Sequence, residues 1–141
     1  MSSLLPTTAI TTAVTAVTSN VLIRRNAPPE SLVLQANFVY GSGGTAADAW
    51  VQSSFDGGVT WTDIANFHFT TTSARKVFNL SRLTPVTTQA TPGDGVLGAN
   101  TCIDGLLGTH YRVKYTTTGT YAGGTTLQVS CNELLVQPAA Y

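Results

Sequence analysis

Along most of this chain apolar and polar residues alternate with a period of two, the spacing that puts every second side chain on one face of a β-strand. Between residues 32 and 40, Leu32, Leu34, Ala36, Phe38 and Tyr40 share an inward face while Gln35 and Asn37 point out. Residues 49–69 carry the same alternation through a hairpin. Ala49, Val51, Ser53 and Phe55 are inward on its first strand, and Val59, Trp61, Ala65, Phe67 and Phe69 on its second, with Asp63 the one polar interruption. Thr60, Thr62, Asn66 and His68 face away, with Ile64 among them. Asp56-Gly57-Gly58 lies between the two runs and predicts a tight turn, because Asp and Gly tolerate the positive φ that short hairpins require.

The remaining elements follow from the same pattern. Val21-Leu22-Ile23 predicts a short strand within 19–25, closed by Asn26-Ala27-Pro28-Pro29, where two prolines forbid helix and ladder alike. Gly41 to Gly44 predicts a flexible turn, and Ala74 to Leu80 another short strand. From Ser81 to Gly98 the pattern dissolves among prolines and glycines, and a loop this long is usually functional or ordered by a partner. A short strand is expected near Asn100 to Ile103. Tyr111, Val113 and Tyr115 mark an inward face from 110 to 115, and Leu127, Val129 and Cys131 mark another in a strand over 125–137, ended by Pro138. The uncharged, β-branched residues 1–18 alternate only weakly, which predicts an edge strand or an extended N-terminal arm, followed by a domain over 19–141. No run reads as an amphipathic helix. About seven or eight short strands imply an all-β, single-domain antiparallel β-sandwich, jelly-roll-like, with an Ig-like Greek key as the alternative.

Composition changes what covers this sandwich. Charged residues make up 10% of the 141 residues, against about 25% in ordinary proteins, so hydroxyls and amides must cover the surface. Seven basic and seven acidic side chains cancel, which argues against a nucleic-acid partner; Arg24-Arg25 and Arg75-Lys76 are isolated pairs. A weakly charged surface favours an assembled protein. No apolar run approaches the roughly 20 residues of a membrane-spanning helix, and residues 1–6 lack the features of a signal peptide, so cytoplasmic folding and no membrane partner are expected. Cys102 and Cys131 are then expected as free, half-buried thiols.

Ser54-Phe55-Asp56-Gly57-Gly58-Val59-Thr60-Trp61 matches Ser-x-Asp-x-Gly-x-Thr-Trp, and so resembles the Asp box of sialidase propellers. The resemblance implies a structural role for Ser54, Asp56, Gly58 and Trp61: Asp caps turn amides, Gly takes positive φ and Trp packs beneath. A propeller needs several copies, and this chain has one. His68 and His110 lack further ligands at metal-binding spacing, no nucleophile elbow or phosphate loop is present, and the carboxylates Asp48, Asp56, Asp63, Asp94 and Asp104 are scattered over turns. The expectation is no catalytic residue, no metal and no cofactor.

The runs Ala49 to Phe69 and Tyr111 to Asn132, about a third of the chain, resemble small virion structural proteins of tailed bacteriophages. With the size, neutral charge and all-β pattern, the similarity is to jelly-roll capsid cement or decoration proteins. That resemblance implies a non-enzymatic protein of the virion head surface, assembled in the bacterial host cytoplasm. It would bind the major capsid protein and associate with itself as a homodimer or homotrimer. Capsid contacts are expected in the Thr-rich arm (Ile10, Val14, Val17) and the Pro/Gly loop (Pro85, Pro92, Leu97), on physical grounds. Two alternatives remain open: a receptor- or glycan-binding fibre module, with Tyr121, Trp50 or His68 stacking on sugars, and a head–tail or tail ring component.

Overall fold

Phe38 is wholly buried, stacks on Phe69 at 4.9 Å between ring centroids and meets the edge of Tyr121 at 5.8 Å. Those three side chains come from different strands, and the alternation of each strand brings them to one place. The computed structural model describes residues 2–23 and 27–135. Its strands are β1 (Ser2–Ala9), β2 (Val17–Thr18), β3 (Leu22–Ile23), β4 (Ser31–Val39), β5 (Ser42–Gly43), β6 (Ala46–Ser54), β7 (Thr62–Phe69), β8 (Ala74–Ser81), β9 (His110–Thr118), β10 (Tyr121–Ala122) and β11 (Thr126–Leu134). The Arg24–Arg25 pair and the expected continuation to Gln137 and Pro138 lie outside the described residues.

One sheet has the order β1-β11-β4-β8; the other has β2 and β3 both paired to β9, then β6 and β7. All these pairings are antiparallel. The chain changes sheet at nearly every connection between long strands; β6–β7 is the one long hairpin that stays within a sheet. That is the jelly-roll order, whereas in the Ig-like alternative several consecutive pairs share a sheet. The inner faces bury Leu32, Leu34, Ala36, Leu127, Val129 and Cys131 from one sheet against Ala47, Ala49, Val51, Phe67, Tyr111 and Val113 from the other.

Of the two forms expected at the N-terminus, residues 2–9 take the edge strand and not a free arm. β1 pairs with β11, and a register shift between Ser3 and Leu5 lets both Leu4 and Leu5 be buried. Residues 10–18 then cross to the second sheet, held by Ile10 N–H to Thr125 O (2.9 Å) and Thr117 N–H to Val14 O (2.9 Å). The Gly-rich turn expected at 41–44 pairs with a second Gly-rich stretch at 119–124, as β5 with β10. Gly41 has no alternative there, since a Cβ would lie 2.2 Å from Gly123 O.

Two expectations about the hairpin are corrected. The β6–β7 connection spans residues 55–61 and is not a tight turn, so Phe55 (56% exposed) and Val59 (79%) leave the inward face. Ile64, Thr62 and Asn66, expected on the wetter face, are buried. Two features set this: a register shift in β7 turns Thr62 inward opposite Ser53, and Thr101–Ile103 runs along the edge of β7, with Asn66 N–H donating to Thr101 O and Ile103 N–H to Ile64 O, both at 2.8 Å. The short strand expected at 100–103 is realised as a single bridge, Ala65 to Cys102.

Truncating Phe38 removes the side chain on which both sheets close. Phe38→Ala should lower unfolding stability by about 3–5 kcal/mol, read from urea denaturation followed by tryptophan fluorescence.

Candidate functional site

Residues 82–109 form the long loop, and polar side chains on the outer face of β6, β7 and β9 hold it down. The sheet makes this possible through a bulge. Val51 pairs with Ala65 but Gln52 pairs with Asp63, leaving Ile64 as an extra residue on β7. The inserted residue reverses the alternation, so Asp63 leaves the inward face where its spacing placed it and lies beside Gln52.

The Asp63 carboxylate is 1% exposed. It accepts hydrogen bonds from the Gly95 amide (2.8 and 2.9 Å), the Val96 amide (2.8 Å), the Leu97 amide (3.0 Å) and Gln52 Nε2 (2.8 Å). A buried carboxylate is tolerated when its lone pairs are filled this way. The Asp63 N–H in turn donates to Gly93 O at 2.7 Å. Gln52 is the hub: Nε2 also donates to Asp94 Oδ1 (2.6 Å), and Oε1 accepts from Arg112 Nε (2.7 Å). Lys114 Nζ donates to Asp94 at 2.6 Å, and this contact, opposed by burial, holds the Asp94 carboxyl below its ordinary range. Burial pulls the Arg112 guanidinium down, while Asp94 and Asp63 oppose that shift. Arg112 also lies 4.4 Å over the Trp61 ring, and Trp50 Nε1 donates to Leu97 O at 2.9 Å.

The two ends of the loop are tied separately. Asp104 accepts the Ser81 amide (2.6 Å), the Thr84 hydroxyl (2.8 Å) and the Gly105 amide (2.9 Å), which keep its carboxyl below the usual range. At the far end Ser53 Oγ accepts the Gly108 amide at 2.7 Å, and a Cβ on Gly108 would stand 2.1 Å from Ser54 O. Between these ties Leu83, Val86 and Val96 remain 64%, 44% and 73% exposed. A cleft of about 310 Å³ opens where Val86 and Pro92 face Phe55, Ile103 and Leu106, with Thr62 among its lining residues.

The Asp box is a closed unit beside this loop. Asp56 accepts the Val59 amide (3.2 Å), the Thr60 amide (2.9 Å), the Thr60 hydroxyl (2.6 Å) and the Ser54 hydroxyl (2.8 Å). Gly58 N–H donates to Ser54 Oγ at 2.8 Å, and Gly57 and Gly58 take φ of 75° and 92°. The Thr60 hydroxyl first, then the Thr60 amide and the Ser54 hydroxyl, lower the Asp56 pKa from 3.8 to about 2. Trp61 is half-buried, its ring 3.5 Å from where a Gly58 Cβ would be.

The expected contact residues divide. Ile10 is 3% exposed and belongs to the core, so it is unavailable to a partner on the surface of this chain. Val14 and Val17 are half-buried where the chain runs along β9. Pro85 and Pro92 are exposed, Leu97 is half-buried, and all three belong to the tied loop. The crossover and the loop's 101–103 segment flank opposite edges of the five-stranded sheet. The residues expected to stack on sugars are engaged within the chain. Tyr121 is buried with its hydroxyl donating to Thr70 O (2.8 Å), Trp50 bonds Leu97, and His68 Nδ1 meets Asp48 Oδ1 at 2.8 Å. Cys131 is buried and Cys102 exposed, neither half-buried and neither in a disulfide; partial burial of its sulfur, then Asp104, push the Cys102 thiol up.

Each of the five scattered carboxylates thus serves the chain's own donors. Gln52 and the Asp94–Lys114 pair were not singled out by the sequence, where the polar interruption at Asp63 was the available signal. Among the described residues no group of three or more His, Cys, Asp or Glu converges as metal ligands. No protein-family model, curated protein or solved structure matches this chain. What the arrangement does chemically is order a long Pro/Gly-rich loop on the sheet, with Leu83, Val86 and Val96 exposed.

Two outcomes test that description. Asp63→Asn sets an amide N–H₂ against backbone donors, and should cost about 3 kcal/mol and open the 93–97 segment to limited proteolysis. The folded pKa of Asp56 lies below its ordinary value, so the turn's contribution is present above about pH 4 and is lost as pH falls through about 2. A carboxyl NMR titration of Asp56 should show a midpoint near 2, moving up in Thr60→Ala.

Proposed function

We propose that this is a non-enzymatic structural protein of a tailed-bacteriophage virion: a capsid cement or decoration protein of the head surface. In this role it binds the major capsid protein lattice, associates with itself and stabilises the head after assembly in the bacterial cytoplasm. The observation that carries the proposal is the loop, which exposes Leu83, Val86 and Val96 while its backbone is tied at Asp63 and Asp104. A segment ordered before binding loses little conformational freedom when it docks, so its apolar surface contributes to affinity with a smaller entropic penalty. The low charge of the chain supports the same role, because a surface with few ions is cheap to desolvate against neighbours.

The loop variant Leu83→Asp/Val86→Asp places charges on exposed positions whose amides donate to neither Asp63 nor Asp104. It should weaken binding to purified heads by at least about tenfold while leaving the circular dichroism spectrum unchanged. Heads should carry the wild-type protein in fixed proportion to the major capsid protein, and lose resistance to heat and osmotic shock without it. Wild-type protein that does not bind heads, or heads equally robust without it, would overturn the proposal.

A further inference from the structure

A jelly roll exposes sheet edges, and here three of them are closed or interrupted. Thr101–Ile103 covers β7, β1 has two register shifts and Pro6, and β2 and β3 are two residues each. β8 differs: eight residues, paired to β4 without a register shift and, among the described residues, unpaired on its other side for most of its length.

The direction of its free backbone groups can be read from its end. Ser81 sends its N–H to Asp104 Oδ1 (2.6 Å) and accepts Gly105 N–H on its C=O (3.0 Å), both away from β4. Arg82 N–H returns to the β4 side, to Glu30 O at 3.0 Å. Since backbone groups alternate sides along a strand, Arg75, Val77 and Asn79 each aim an N–H and a C=O at the open edge. Among the described residues nothing pairs with them. Their side chains are exposed too, Val77 at 55%.

We propose that β8 pairs antiparallel with β8 of a second copy across a two-fold axis through Val77, joining two four-stranded sheets into one. This register uses all three free residues. It sets Val77 against Val77 of the second copy, an apolar β-branched pair, and Arg75 against Asn79, so the two arginines do not meet. An isologous contact of this kind closes after two chains. Lys76 would ordinarily guard such an edge, as an inward-pointing charge that needs water. Here its ammonium is already bound to His68 O and to Asn100 Oδ1 (3.0 Å) and lies 4.9 Å over the Phe69 ring. Edge pairing therefore removes little from its solvation.

The proposal rests on the self-association named in the proposed function but not on head binding. Sedimentation equilibrium of the full chain should give twice the 14.8 kDa of one chain. Val77→Lys puts like charges on the axis and should raise the dimer dissociation constant at least about tenfold. Val77→Pro removes an N–H that faces the edge and not β4, so it should give a folded monomer by circular dichroism. Should either variant fold poorly, Val77→Cys in a Cys102→Ser background decides. Residues facing each other across this axis have Cα atoms about 5.5 Å apart, within disulfide range, so mild oxidation should give a covalent dimer. A wild-type monomer at concentrations on the order of 0.1 mM, a trimer, or a dimer unaffected by these changes would overturn β8 pairing. A β8 dimer that fails to bind heads would overturn the shell role and leave the pairing standing.

Discussion

The buried carboxylate of Asp63 is the contact on which the outer half of this molecule depends. It lies on the solvent side of a sheet, yet is 1% exposed because three consecutive loop amides and the Gln52 side chain close over it. Without those donors a charge at that depth would be untenable, and without the charge the amides of Gly95, Val96 and Leu97 would have no common acceptor. Each side of the interaction therefore requires the other. The bulge at Ile64 is what aims the carboxylate outward, so one inserted residue in β7 sets where residues 93–97 are held on the sheet.

Scarcity of charge gives the remaining ionic groups unusual responsibility. Asp56 closes the hairpin, Asp104 ties one end of the loop, Asp94 meets Lys114, and Asp48 meets His68. What is left for the surface is mainly hydroxyls, amides and exposed apolar side chains such as Leu83 and Val96. Such a surface is poorly defended against association, the property on which the proposed shell role draws. The open edge of β8 belongs to this pattern: it carries Arg75 and an already engaged Lys76, and little else to keep another strand away.

Much of the fold was legible in the sequence, for a local reason. Burial of one face forces period-two alternation, so Leu32 to Phe38, Ala49 to Val51, Tyr111 to Val113 and Leu127 to Cys131 announce their strands and their inward sides. The Asp box was legible for the same reason, since Ser54, Asp56 and Thr60 bond one another within a single turn. The polar break at Asp63 was visible as well, but as an interruption without a meaning.

Tertiary structure supplied that meaning through contacts the chain does not foreshadow. Asp63 reaches amides more than thirty residues later, and the bulge that turns it exists only relative to β6. The bulge turns Thr62 inward opposite Ser53, a distant segment lies along β7 at Ile64 and Asn66, and Ile10 belongs to the core because β1 joins the sheet. Which edge stays open follows from sheet order, a property of no single strand. Alternation alone marked the inward face of the regular strands, because period two is a local consequence of burial, but it failed where the β7 bulge shifts the register. Only the folded chain decided which polar groups meet and which backbone remains unpaired, because those depend on neighbours brought together from opposite ends of the sequence.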